Sequence, residues 1–392
     1  MGIHNFHKWL NNTYKDIYIP IEGNNIYDFV YIDVNFLLHN CIYSSSNENE
    51  FIKKLYNQFD LILSNFIASK EIFFSLDGVA PQAKIYLQKK RRQNMGNSSK
   101  GSKEGFNSLL LTPGTTFMEK LHKYIKIYLS KLKKRYLYIN PTLNFSTSNE
   151  SNEGEIKINK RLLQNGRKSL NSKHLIIGND ADIVILSMAA IGINHINILF
   201  KNKKKNQLIS ISKLIELIKI HINNQEKKEK NIREEFVIIS LLMGNDYLPK
   251  LGYINIEKLW KSYFETVYIY PTMNIIKKGQ LDFIFLEKLL LNIYINLSNS
   301  FKKLSHITYN PNKFKSYLEG ILWCFTMYKT GKCPNYDYSY KYKKIIHPYE
   351  LLFFCCSNDN NIKVHISEKK PLSPYDYAAL VLPKCSLHLI AN

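Results

Sequence analysis

Along roughly the first 270 residues, short runs rich in Val, Ile, Phe and Tyr alternate with longer stretches of helical periodicity. That alternation predicts an α/β fold, a parallel twisted sheet flanked by helices. The clearest strands are FVYID (29–33), IFFSLD (72–77) and HLIIG (174–178). EEFVIISLLMG (234–244) is longer and apolar without a break, which suits a buried helix. Beyond residue 270, periodic stretches such as LDFIFLEKLLLNIYINL (281–297) predict a mostly helical region. The expected organisation is an α/β domain over 1–270 and a helical C-terminal region over 271–392 packing on it. The polar segments QNMGNSSKGSKEG (93–105) and STSNESNEGE (146–155) read as flexible loops. No internal repeat is visible.

One stretch breaks the pattern. HLIIGNDADIVIL (174–186) reads as a buried strand interrupted by two carboxylates, Asp180 and Asp182. An ionised carboxylate in apolar surroundings costs several kcal/mol or more unless it is paired. Two other acids also sit where a strand stops: Asp33 ends FVYID and Asp77 ends IFFSLD. In open parallel sheets the carboxyl ends of the strands form the ligand-binding edge. Glu153 and Glu155 in NEGE, and Asp246 in GND just after the buried helix, are candidates to join them. Seven clustered carboxylates repel and raise one another's pKa values. Divalent cations relieve this, and oxygen ligands suit Mg²⁺ or Mn²⁺. Two such ions about 4 Å apart are the usual arrangement for cleaving phosphodiesters. For any single strand-ending Asp, a turn or a helix cap is the simpler reading. The doublet resists it, because one cap does not need two acids.

Composition narrows the class. Hydrophobic residues make up 45% of the chain, as in globular proteins and not disordered ones. No apolar run approaches the roughly 20 residues that cross a bilayer. The start, MGIHNFHKWL, has no signal-peptide core and, with Phe6, no myristoylation signal. The expectation is a soluble intracellular protein. The six cysteines show neither CxxC nor zinc-finger spacing and are expected to be reduced thiols. The formal net charge of +22 favours polyanions, nucleic acid first. The alternative is codon bias, since the chain is heavy in Asn, Lys, Ile and Tyr.

Read in order, MGIHNFHKWL, YIDVNFLLHNC, LDGVAPQAKIYLQKKRR, LTPGTTFMEKL, NEGEIK, GNDADIVIL and MGNDYLP resemble the motifs of the Xrn family of 5′→3′ exoribonucleases. The likeness continues through YLEGILWCFTMYKTGKCPNYDYSYKY and PLSPYDYAALVLPKCSLHL. It therefore spans nearly the whole chain, as in a minimal form holding the nuclease core; the composition is compatible with a large DNA virus or another AT-rich genome. The resemblance implies a PIN/flap-nuclease-like core in which Asp33, Asp77, Glu153, Glu155, Asp180, Asp182 and Asp246 are metal ligands. It also assigns Lys84, Gln88, Arg91 and Arg92 to a pocket for a 5′-monophosphate. Their i, i+4, i+7, i+8 spacing independently places them on one helical face, with Pro81 suited to the helix start. An ordinary basic surface helix is the alternative. His39 matches the family's histidine that stacks on the leading nucleotide, and Asn35 falls on the same motif.

Where the family carries Trp-x-Trp, this chain has Tyr336 and Tyr338, a stacking platform interleaved with Lys or else a packed Tyr-rich segment. LTPGTTFM (111–118) reads as a turn opening a helix, with Thr112 or Thr115 as cap. Two further departures are Ser151-Asn152 in place of Pro-Gly before the EGE, and Ile156 where the family has a His soon after it. The reading is a Mg²⁺- (or Mn²⁺-) dependent, two-ion 5′→3′ exoribonuclease. It acts on single-stranded RNA with a 5′-monophosphate and releases nucleoside monophosphates. It is expected to be monomeric and cytoplasmic, with the nucleus as the alternative compartment. The rivals are a flap-type DNA endonuclease and an inactive RNA-binding protein. Against the first, no Gly-Ile-Gly follows the last Asp; against the second, all seven acids are present.

Overall fold

The computed structural model describes residues 3, 5–21, 25–98, 106–135, 140–201, 206–224, 227–297, 309–342, 345–357 and 362–391. Its strands are β1 (Tyr18–Ile19), β2 (Asn25–Asp33), β3 (Phe66–Ser75), β4 (Thr142–Ser146), β5 (His174–Ile177), β6 (Ile196–Lys201) and β7 (Asn206–Ser210). They form a seven-stranded sheet in the order β1-β7-β6-β5-β2-β3-β4. The β2–β3, β2–β5, β3–β4 and β5–β6 pairs are all parallel. The helices of the first half are α1 (Phe6–Thr13), α2 (Val34–Tyr43), α3 (Glu48–Asn65), α4 (Gln82–Ser98), α5 (Thr116–Arg135), α6 (Gly154–Lys168) and α7 (Ala181–Ala189). Those of the second are α8 (Ile211–Ile222), α9 (Glu229–Leu242), α10 (Ile256–Ile269), α11 (Phe283–Ile295), α12 (Pro311–Thr330), α13 (Pro348–Ser357) and α14 (Pro374–Val381). Among the described residues no helix is long and apolar enough to cross a membrane, and all six cysteines are free thiols.

The chain divides into two compact units, and the division does not fall at residue 270. One comprises Ile19–Asn179, His195–Ile209 and Glu368–Asn392; the other comprises Met1–Tyr18, Asp180–Asn194 and Ser210–Ser367. The first is α/β and the second is mostly helical. The C-terminal segment returns to the α/β unit because α14 packs on α4 through Val79, Ile85, Tyr377 and Val381.

Three local readings change. HLIIGNDADIVIL is not one interrupted strand: β5 stops at Ile177, and α7 begins at Ala181. Every residue of α7 is buried, so its sequence lacks the polar stripe that marks a surface helix. Residues 93–98 extend α4 instead of opening a loop, and 99–105 lie outside the described residues. The second polar segment gives way to α6 at Gly154.

Side chains on β2 and β3 alternate between the two faces of the sheet. Val30, Ile32, Ile72 and Phe74 join a core with Leu37, Phe59, Leu121 and Ile125 from α2, α3 and α5. The other face, under α6, is partly polar. Buried Glu71 accepts hydrogen bonds there from Arg161 Nε (2.8 Å), Asn165 Nδ2 (2.7 Å) and Asn144 Nδ2 (2.6 Å). Asn165 Nδ2 also donates to Tyr31 Oη at 3.2 Å, and that hydroxyl meets His174 Nδ1 at 3.1 Å. Burial pushes the His174 imidazole down to about 4, so it is neutral at ordinary pH.

The N-terminal end of α6 is tied down as well. Buried Lys157 donates from Nζ to Leu76 O (2.8 Å) and Thr147 O (2.7 Å), and Ser75 Oγ donates to Gly154 O (3.0 Å). Burial lowers the Lys157 pKa to about 8, with Glu150 and Asp77 opposing the shift. α6 is thus held to the sheet at both ends by polar bonds in a dry setting.

Two outcomes follow for stability. Glu71→Ala removes the shared acceptor of the Asn165 and Asn144 amides and the Arg161 guanidinium, and should cost about 3 kcal/mol in urea denaturation. The Lys157 prediction concerns pH. Between about 8 and the unfolded-chain value near 10.4, the unfolded state holds the lysine proton and the native state sheds it, so stability rises with pH. The stability of the native chain relative to Lys157→Met should therefore climb by up to about 1.4 kcal/mol per pH unit across that window. A flat difference between pH 8 and 10 would contradict it.

Candidate active site

In the α/β unit, the parallel register sets Asp33 beside Ser75 and Ile32 beside Ile177, so β2, β3 and β5 end on one edge. Asp33 is the N-cap of α2, accepting the Asn35 N–H at 3.1 Å. The capping alternative is thus realised, and one carboxylate oxygen serves it. Two residues past β3, the Asp77 N–H donates to Asn35 Oδ1 at 2.8 Å, while Asp77 Oδ1 accepts the Gly154 N–H at 2.7 Å. Glu153 is the N-cap residue of α6 and Glu155 lies in its first turn, where the helix dipole favours negative charge.

Gly154 is the close-packed point of this cluster. A Cβ there would sit 3.2 Å from Asp77 Oδ1 and 3.3 Å from Asp33 Oδ1. The two carboxylates therefore converge on the glycine that separates Glu153 from Glu155. The donor set is all oxygen, which fits a hard divalent cation. Among the described residues, no three His, Cys, Asp or Glu side chains are grouped closely enough to hold a metal ion as they stand.

α4 brings its basic residues to the same place. Lys84 is buried and ion-paired with buried Glu153. Arg92 Nε donates to Thr112 Oγ1 at 2.8 Å, Arg92 Nη1 donates to Gln88 Oε1, and its guanidinium lies 5.9 Å from the Tyr377 ring centroid. Arg91 lies between Lys84 and Arg92 on the same helix, with its side chain partly buried. Thr115, not Thr112, caps α5, accepting the Met118 N–H at 3.3 Å, which leaves the Thr112 hydroxyl to Arg92. Gly114, at φ +90, is needed in this turn because a Cβ would lie 2.1 Å from Pro374 O.

His39 is exposed on α2, its ring 6.4 Å from that of exposed Tyr43 one turn later. Even so, the protein around the imidazole lowers its pKa; Asp77 opposes the shift and Arg92 reinforces it. The exposed surface is what bears on stacking. The two electrostatic neighbours place His39 near both an acid and an arginine of this cluster.

The helical unit holds the remaining residues. Asp180 is the N-cap of α7, accepting the Asp182 N–H at 3.3 Å, so the doublet is a cap and its N2 residue. Asp180 acts electrostatically on half-buried His7, and Asp182 on buried Cys324. Asn245 reaches the same cysteine, its Nδ2 lying 3.6 Å from Cys324 Sγ. Asn245 Oδ1 accepts the Tyr247 and Leu248 N–H groups, both at 2.9 Å, and so shapes the turn that carries Asp246. Tyr338 stacks on Trp323 at 4.9 Å and donates to Ser316 O at 3.2 Å, so one face of its ring is covered. Tyr336, two residues earlier, is half-buried.

Sequence reasoning missed the contacts that Thr112, Tyr377, Lys157 and Asn245 make beside the candidate residues. Asn245 had a signal, since it stands inside GND. Tyr377 stands in PLSPYDYAALVLP, but its contact had no signal: it reaches Arg92 from a helix 285 positions further along the chain.

Comparison with known proteins agrees with the ordered motifs. Residues 1–202 match the model of a family described as XRN 5′–3′ exonuclease N-terminus. The chain is 28% identical over 306 residues to 5′-3′ exoribonuclease 1 of Saccharomyces cerevisiae, covering 66% of this chain and 20% of that protein. It is 24% identical over 343 residues to 5′-3′ exoribonuclease 1 of Homo sapiens, covering 75% and 20%. It thus spans about a fifth of the length of these relatives. Among solved structures, the catalytic core of Rad2 in complex with DNA substrate aligns at a TM-score of 0.40 and 16% identity, covering 90% of this chain and 94% of that one. With the family model covering more than half of its residues, the chain belongs to the XRN 5′–3′ exonuclease N-terminal family.

Proposed function

We propose that this chain is a divalent-metal-dependent 5′→3′ exoribonuclease that takes single-stranded RNA by a 5′-monophosphate. The observation that carries this reading is the Lys84–Glu153 pair, which joins the basic helix α4 to the acidic cluster. End recognition and bond cleavage are thereby neighbours, as an enzyme removing one nucleotide at a time requires.

Asp33, Asp77, Glu153, Glu155, Asp180, Asp182 and Asp246 are the residues that would hold Mg²⁺ or Mn²⁺, two ions in this reading. When bound, such cations supply activation of water and stabilisation of the leaving oxygen. The rest is work for side chains. Gln88, Arg91 and Arg92 line one face of α4 and bind the terminal phosphate; Arg92 is pre-oriented by Thr112 and Tyr377. Guanidinium binds phosphate through two parallel hydrogen bonds, so a fixed guanidinium selects geometry as well as charge. Lys84, the fourth residue of that pocket, is buried and paired with Glu153, so its charge is shared between the phosphate and the carboxylates. His39 offers an exposed face for the leading base.

The test is a time course on one RNA sequence bearing 5′-monophosphate, hydroxyl, triphosphate or cap, with and without Mg²⁺. Monophosphorylated RNA should be degraded from its 5′ end much faster than the other three, and only with the metal. Each charge-assisted bond lost with a 5′-hydroxyl is worth roughly 1.5–3 kcal/mol. Equal rates on all four ends would refute the pocket and the direction. A second outcome concerns Gly154→Ala, whose new methyl must displace Asp33 and Asp77 by a few tenths of an ångström. Turnover should fall by up to about 100-fold while stability changes by about 1–3 kcal/mol. Full activity in a folded G154A protein would show that carboxylate placement is not limiting.

A further inference from the structure

Arg233 of α9 is among the largest fully buried side chains, and its guanidinium is spent on the far end of another helix. It donates from Nε to Met188 O (2.9 Å), from Nη2 to Ser187 O (2.9 Å) and Ala190 O (2.6 Å), and from Nη1 to Ile193 O (3.2 Å). Nη1 also meets Asn194 Oδ1 at 3.4 Å and Glu229 Oε1 at 3.0 Å. The last carbonyls of a helix have no partners within it, and a cation there complements the dipole. At the end of α7 that need is met partly by the local backbone and partly from outside. Leu186 O and Ser187 O share the Ala190 N–H and Ala189 O takes the Ile191 N–H, while Arg233 reaches Met188 O and adds a second donor to Ser187 O.

α7 is nine residues long, about 13 Å at 1.5 Å per residue, and carries Asp180 and Asp182 at its opposite end. The helix that bears Arg233 ends at Leu242, and Gly244-Asn245-Asp246 follows. One guanidinium thus joins the two helices that present three of the seven acids, all within the helical unit. A short rod held at its C-terminal end cannot slide or turn without moving the carboxylates at its N-terminal end. Lysine in this place has three donors on one atom and cannot reach the same spread of carbonyls.

We infer that Arg233 is a positioning residue for the metal-binding acids: by clamping the C-terminal turn of α7 to α9 it sets Asp180 and Asp182 relative to Asp246. The inference rests on the proposed reading of those three acids as metal ligands. It assigns Arg233 no contact with substrate or metal.

The experiment measures Mn²⁺ affinity of wild-type protein and Arg233→Lys by electron paramagnetic resonance, well below the melting temperature of each, beside Mn²⁺-dependent cleavage. R233K is expected to bind Mn²⁺ about 10- to 100-fold more weakly. Its cleavage should recover toward the wild-type rate at saturating Mn²⁺, a shift in metal requirement that lost stability alone does not produce. A folded R233K protein with wild-type Mn²⁺ affinity and only a lower melting temperature overturns the inference and leaves the proposed function intact. Wild-type protein that neither binds Mn²⁺ nor cuts RNA overturns the proposed function first. The wild-type chain gives an independent test that does not depend on R233K folding. Because coupling between sites is reciprocal, saturating Mn²⁺ should slow hydrogen exchange in peptides covering 187–194 by about tenfold. Unchanged exchange there would overturn the inference.

Discussion

Parallel pairing sets the C-terminal ends of β2, β3 and β5 side by side, and in the α/β unit this brings acids to one edge that would otherwise avoid each other. With Asp33 set beside Ser75, Asp77 must emerge from the same edge two residues later. Gly154, between two glutamates, then packs against both carboxylates. Most of the local hydrogen bonding answers the repulsion this creates. Asp33 takes the Asn35 amide, Asp77 takes the Gly154 amide and Glu153 takes Lys84. Partners of this kind lower the cost of holding ionised groups away from water.

Helix α6 shows how the remainder of that unit serves the edge. Its N-cap and first turn carry the two glutamates, so its position along the sheet sets where they stand. Apolar contacts alone tolerate sliding; directional bonds do not. Glu71, Asn144, Arg161 and Asn165 fix one end, while Lys157 and Ser75 fix the other. Buried polar networks are costly when incomplete, which is why a fully bonded one specifies a single arrangement. The helical unit reaches the same end by another route: Asp180 caps α7 at one terminus and Arg233 closes the other.

Much of this was legible in the chain. Short runs rich in Val, Ile, Phe and Tyr located the C-terminal ends of β2, β3 and β5 within two residues, and EEFVIISLLMG was rightly expected to be helical. The HLIIGNDADIVIL stretch was misjudged because periodicity cannot tell a fully buried helix from a buried strand. The division at residue 270 differs from that of the structure because the order of elements along the chain says nothing about which unit each one joins. The segment after Glu368 belongs with the α/β unit only through the packing of Tyr377 and Val381.

The sequence by itself determined the class of fold, the order of the motifs and the set of acids and bases available. These follow from residue type and spacing, which local backbone geometry turns directly into faces and strand ends. The tertiary structure alone decided the pairings: Lys84 with Glu153, Arg92 with Thr112 and Tyr377, Arg233 with the end of α7. Each of these joins residues distant in the chain across a few ångströms. A hydrogen bond depends on position to within a fraction of an ångström, and only the packed three-dimensional structure supplies that.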